Sequence, residues 1–147
     1  MRICFVLQGS QLKSADGTLT VVENIIRNWN SADELFLMMN KHHWGYSRLS
    51  NLEFENNNVY IKKFSYGLPI ELFYNKNDVI NKILYRLFSF VSAPVYIYLI
   101  SQWIRKNNVD YILSHNGGWP GGELNRWFVF AGRLCLSLIH ISEPTRQ

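Results

Sequence analysis

The chain has 147 residues, 48% apolar and 18% charged, which is the composition of one folded globular domain and excludes both a disordered segment and two full domains. Its net charge of +4 is spread along the chain without the basic run of a nucleic-acid arm, so no nucleic-acid partner is expected, while phosphate or an anionic membrane surface remains compatible. Cys4 and Cys135 form no C-x-x-C pair and join no histidine cluster at ligand spacing, so neither a metal site nor a disulfide framework is expected.

Arg2-Ile3-Cys4-Phe5-Val6-Leu7 is an uninterrupted apolar run, the pattern of a central parallel strand buried on both faces. It is too short for a signal-peptide core, so the chain is expected to stay in the reducing cytosol. A polar loop with Gly9 and Gly17 follows. Thr20-Val21-Val22-Glu23 then fits a capping box, and Val22, Ile25, Ile26 and Trp29 take the i, i+3, i+4, i+7 positions of a helix over about 20–29. After a turn at Asn30-Ser31-Ala32-Asp33, residues 34–39 read as a second apolar strand. Strand, helix, strand predicts a right-handed crossover and a parallel pair.

Residues 41–58 are polar and read as a loop with at most a short helix, in which His42 and His43 are solvated. Residues 59–64 alternate as a third strand nearer an edge, and 66–77 look irregular. Asp78 can cap a helix reaching the Pro94 region, and 95–106 can form a second one. Within 83–104 the apolar run is nearly long enough to span a bilayer. Pro94 divides it, which favours a buried or interfacial helix pair, and Arg86, Arg105 and Lys106 could reach lipid head groups. Residues 109–114 read as a fourth strand, leading into Asn116-Gly117-Gly118 and Gly121-Gly122, where the backbone can turn tightly and let a ligand approach. Leu124, Trp127, Phe128 and Ala131 complete the pattern as one buried helix face. The fold class is therefore α/β, a Rossmann-like parallel sheet with flanking helices.

Ligands in such sheets sit beyond the carboxyl ends of the strands, near helix N-termini. The G-x-G-x-x-G fingerprint, the phosphate loop and a D-x-D pair are all absent from the sequence. A triad of Ser114, His115 and Asp110 fails because strand neighbours face opposite ways and no nucleophile elbow exists. His115, at the end of the fourth strand, has two readings: a hydrogen-bond partner for a bound hydroxyl, or a histidine satisfied by loop backbone. Gly9 and Ser10 likewise either bring backbone N–H groups to an anion or form an ordinary loop.

The layout resembles the N-terminal domain of family 4 type glycosyltransferases, which have the two-domain GT-B architecture. The resemblance is carried by Met1-Arg2-Ile3-Cys4-Phe5-Val6-Leu7, by Val21-Val22-Glu23-Asn24-Ile25-Ile26, and above all by the run from Asp110 to Gly121, DYILSHNGGWPG. That run is similar to the D-x-x-H-x-H-N-G-G-Y-P-G pattern of some members. Leu113 stands where the pattern has its first histidine, and Asp16-Gly17 stands where the first loop usually has two adjacent glycines.

The resemblance implies an acceptor-side domain over 1–135 and a nucleotide-sugar as co-substrate, with no separate cofactor. Gly9, Ser10 and Gly17 would lie on the donor-diphosphate side, and Asn116, Gly117 and Gly118 would form a cleft loop. His115 would contact donor or acceptor sugar. The partners implied are a nucleotide-sugar donor, a glycan or lipid-linked acceptor, and a C-terminal domain whose E-x7-E signature is absent, since no two glutamates here are eight apart. The location implied is cytoplasmic, at the inner face of the membrane if peripheral contact is made. Alternatives from other classes are a non-catalytic α/β module binding a nucleotide or protein, and a protein membrane-associated through 83–104.

Residues 136–146, LSLIHISEPTR, are similar to the in-frame translation of a transposase-type sequencing-library adapter. We therefore expect 136–147 to be a non-native tail and the natural protein to continue past residue 135, so that catalysis by this piece alone is not expected.

Overall fold

The computed structural model describes residues 1–8, 17–29, 32–41, 43, 45–51, 58–65, 78–115 and 122–135. The elements in chain order are β1 (Arg2–Leu7), α1 (Gly17–Arg27), β2 (Glu34–Asn40), α2 (Tyr46–Ser50), β3 (Val59–Phe64), α3 (Val79–Lys106), β4 (Tyr111–His115) and α4 (Glu123–Cys135). All four strands are parallel and lie in the order β3-β2-β1-β4. The architecture is thus α/β, with a four-stranded parallel sheet and flanking helices, as the alternation of strand and helix patterns predicts.

β1 is the centre of two cores. Cys4 and Val6 point into one, with Met38, Ile112, and Ile100 and Ile104 of α3 and Leu124, Trp127, Phe128 and Ala131 of α4. Ile3, Phe5 and Leu7 point into the other, with Leu35, Leu37 and Met39 of β2, Leu19, Val22 and Ile26 of α1, and Leu49 of α2. Side chains alternate along a strand, so a run with no polar residue needs cover on both faces. The crossover from β1 to β2 runs over one face, whereas the return from β3 to β4 runs over the other. Two connections travelling in opposite directions along a sheet fall on opposite faces when both are right-handed. β3 lies at an edge, where Lys62 and Lys63 are exposed and discourage further strand pairing.

The amino-terminal edge is held by charge. The Arg2 backbone N–H donates to the Asp110 carboxylate at 2.8 Å, and the Arg2 guanidinium reaches Glu34 at 2.8 Å and the Asn107 carbonyl at 3.0 Å. This puts Asp110 at the opposite end of β4 from His115. α3 ends in a left-handed turn at Asn108, φ 48°, with Val109 N–H donating to Ile104 O and Asn108 N–H to Arg105 O. Asparagine tolerates that conformation, and the paired bonds satisfy the last carbonyls of the helix.

Three local expectations are corrected. α1 begins at Gly17, so Thr20 lies inside the helix and the capping box does not form. Glu23 turns instead to Arg27, one turn on, at 3.2 Å, and to Arg48 of α2 at 2.7 Å. His43 is buried rather than solvated, and its Nδ1 accepts from Gly45 N–H at 3.1 Å. The third concerns Pro94: α3 is one helix of 28 residues, capped by Asp78, which accepts from Ile80 N–H, and Pro94 sits inside it. Phe88, Ser89, Ile97 and Ile100, on either side of the proline, all turn to the same core. Their shared burial outweighs a penalty of about 3 kcal/mol for an interior proline. Pro94 itself faces outward, so its removal disturbs no packing.

Pro94→Ala is therefore expected to raise the unfolding free energy by about 1–3 kcal/mol, read from urea denaturation. An unchanged midpoint would mean that the helix has already relaxed around the ring. The cysteines should differ sharply in reactivity. Cys4 is wholly buried, and burial pushes its thiol far above the ordinary range, whereas Cys135 is half-buried at the end of α4. A chromogenic disulfide reagent should titrate Cys135 in the native protein and Cys4 only after unfolding.

Candidate functional site

A parallel sheet with this strand order has one topological switch point, between β1 and β4, where the chain leaves the two neighbouring strands toward opposite faces. The crevice beyond the carboxyl ends of those strands is where open α/β sheets take ligands. Here Leu7, the last residue of β1, pairs with Met39 on one side and His115 on the other, so β1, β2 and β4 end at nearly one level. The N-termini of α1 and α4 follow β1 and β4 in the chain and return toward this same edge. The dipoles of helices that start at such an edge give it a partial positive charge.

Of the expected site residues, His115 and Gly17 are among those described. His115 closes β4, in register with Leu7, as its place in the sequence predicts. Gly17 opens α1, and among the described residues nothing lies within 4 Å of where a side chain would begin there. Gly9, Ser10, Asn116, Gly117 and Gly118 lie outside the described residues. Among the described residues, no three His, Cys, Asp or Glu side chains come together as metal ligands would.

The structure adds a polar cluster that sequence reasoning missed. Gln8, the first residue after β1, lays its side-chain amide across the start of α4. Its carbonyl oxygen accepts from Leu124 N–H at 2.6 Å, and its NH2 donates to the Glu123 carboxylate at 3.2 Å. Tyr85 of α3 donates its hydroxyl to the same Glu123 oxygen at 2.8 Å, and Arg126 pairs with the other carboxylate oxygen at 3.2 Å. Glu123 is thus an acid in the first turn of its helix, where the dipole favours it. It is also the hub joining β1, α3 and α4.

This cluster gives Gly122 a role different from the one its sequence suggests. A Cβ added at Gly122 would collide with the Gln8 side-chain amide. The glycine allows the amide to approach and cap α4, so one helix N-terminus at the switch point is already occupied by the protein's own side chain. The available signal was that Gln8 directly follows a buried strand and that Glu123 opens a helix. Nothing in linear spacing shows that residues 115 positions apart touch.

Gln8→Ala should cost about 1 kcal/mol through loss of the cap. Gly122→Ala should cost about 1–3 kcal/mol by displacing Gln8 and stranding its partners. The two effects should not add: in the Gln8→Ala background the second substitution should lose most of its penalty, a coupling that a double-mutant cycle of denaturation midpoints measures. Additive penalties would sink this account of Gly122.

Comparison with protein-family models, with curated proteins and with solved structures finds no match. The α/β architecture, with its four-stranded parallel sheet and flanking helices, is compatible with a Rossmann-like fold.

Proposed function

We propose that the chain is the acceptor-side domain of a nucleotide-sugar-dependent glycosyltransferase of GT-B architecture, transferring a sugar to a glycan or lipid-linked acceptor. The observation that carries this reading is the register of Leu7 with His115. It sets the end of β1 and the histidine that begins the HNGGWPG run side by side at the switch point, where a ligand contacting both would sit.

In this reading the loop after β1, with Gly9, Ser10 and Gly17, lies on the donor-diphosphate side, and Asn116, Gly117 and Gly118 form the wall carrying His115. Because Gln8 already caps α4, diphosphate stabilisation on this side falls to the start of α1, whose N–H groups and partial positive charge suit a departing anion. His115 supplies a hydrogen bond to a sugar hydroxyl. The nucleotide is held mainly by the second domain, so this chain alone is half a site and does not complete transfer.

The test is the open reading frame past residue 135. It is expected to encode a second α/β domain with two glutamates eight residues apart, and the resulting protein is expected to transfer sugar from a nucleotide donor. A stop codon after one domain would remove the proposal. In the full-length enzyme, His115→Ala should lower kcat/KM by roughly ten- to a hundred-fold, the loss of one hydrogen bond to a polar ligand, without changing the thermal midpoint. Unchanged kinetics would return His115 to a purely local role.

A further inference from the structure

α3 has two faces of different character. The inward face is fixed to the domain: Ser89, Ile100, Ser101 and Ile104 are buried, Tyr96 stacks on Trp127 with ring centroids 4.8 Å apart, and Tyr85 holds Glu123. The outward face is apolar for most of its length. Ile80, Ile83, Leu87, Phe90, Val91 and Val95 are each more than half exposed, Phe90 at 81%. Their spacing of three and four places them in one stripe, which Tyr98 and Leu99 continue for a total of about 30 Å. Soluble monomers seldom leave so continuous an apolar surface in water.

The charges around the stripe select its occupant. Lys82 and Arg86 stand near one end and Arg105 and Lys106 at the other, all exposed, and none of the 28 helix residues is acidic. A second copy of the chain would bring basic ends against basic ends whether the two helices ran parallel or antiparallel. An apolar surface fringed by negative charge complements the stripe instead, as the acyl and headgroup layers of an anionic leaflet do. α3 is also long and apolar enough to cross a bilayer. Crossing, however, would strip its inward face from the sheet and from α4 and would draw Arg86 into hydrocarbon.

We propose that the outward face of α3 docks in the plane of an anionic bilayer, with the stripe in the acyl boundary and the four basic side chains on lipid phosphates. This inference stands apart from the glycosyltransferase reading, because vesicle binding is measured with neither donor nor acceptor present. In co-sedimentation, the full chain should pellet with mixed phosphatidylcholine–phosphatidylglycerol vesicles, weakly with phosphatidylcholine alone, and be released by high salt.

Phe90→Asp should lower partitioning by roughly ten-fold or more. Replacing Lys82, Arg86, Arg105 and Lys106 with Gln one at a time should each lower it by about five-fold. Because these side chains are exposed, circular dichroism should match the parent protein. Four results would overturn the proposal: no pelleting with mixed vesicles at low salt; pelleting unaffected by Phe90→Asp; bound protein that only detergent releases, which means a span; or a stripe-dependent dimer that ignores vesicles, which means a second copy.

Discussion

The burial of β1 on both faces is the constraint from which the rest of this structure follows. A strand of six residues with no polar position in its last five cannot lie at a surface, so it needs a neighbour on each side and a helical layer above and below. α1 and α2 supply one layer, and α3 and α4 supply the other. Once β2 and β4 flank β1, the connections must diverge from it toward opposite faces, and the switch point is fixed beside Leu7. The location of the candidate site is therefore a consequence of hydrophobic cover, not of any residue with chemistry of its own.

That edge is not simply open. Gln8 leaves the strand and immediately caps α4, so part of the electropositive edge is neutralised by the protein itself. Glu123 shows the complementary economy: a carboxylate favoured by the helix dipole also receives bonds from Gln8, Tyr85 and Arg126. One acid thereby ties the end of the central strand to both helices of one layer.

α3 illustrates how a single helix can meet two demands. Tyr85 aside, whose hydroxyl donates to Glu123, its polar groups turned inward include short serines, and Ser92 and Ser101 satisfy their hydroxyls on carbonyls of the preceding turn, Phe88 and Ile97, at 2.6 and 2.7 Å. They can therefore sit against the core without demanding external partners. The outward residues carry no such restriction and are large and apolar. A helix apolar all round in this way gives no periodic signal of which side belongs to the domain.

The sequence by itself determined the four strands, their order of appearance, the edge character of β3 and the buried faces of α1 and α4, because strong apolar periodicity is a local property that survives into the fold. It also placed His115 at a strand end. It could not determine the continuity of α3 through Pro94, because the proline penalty is local whereas the burial that exceeds it comes from other elements. The same reason accounts for Glu23, whose nearby Thr20 suggested a cap while Arg48, distant in sequence, formed an ion pair with it, and for His43, which is buried by surroundings that 41–58 alone do not reveal. Only the tertiary structure decided that Gln8 meets Gly122 and Glu123, and that one face of α3 is left outward, because both depend on which elements the two-sided cover of β1 brings together.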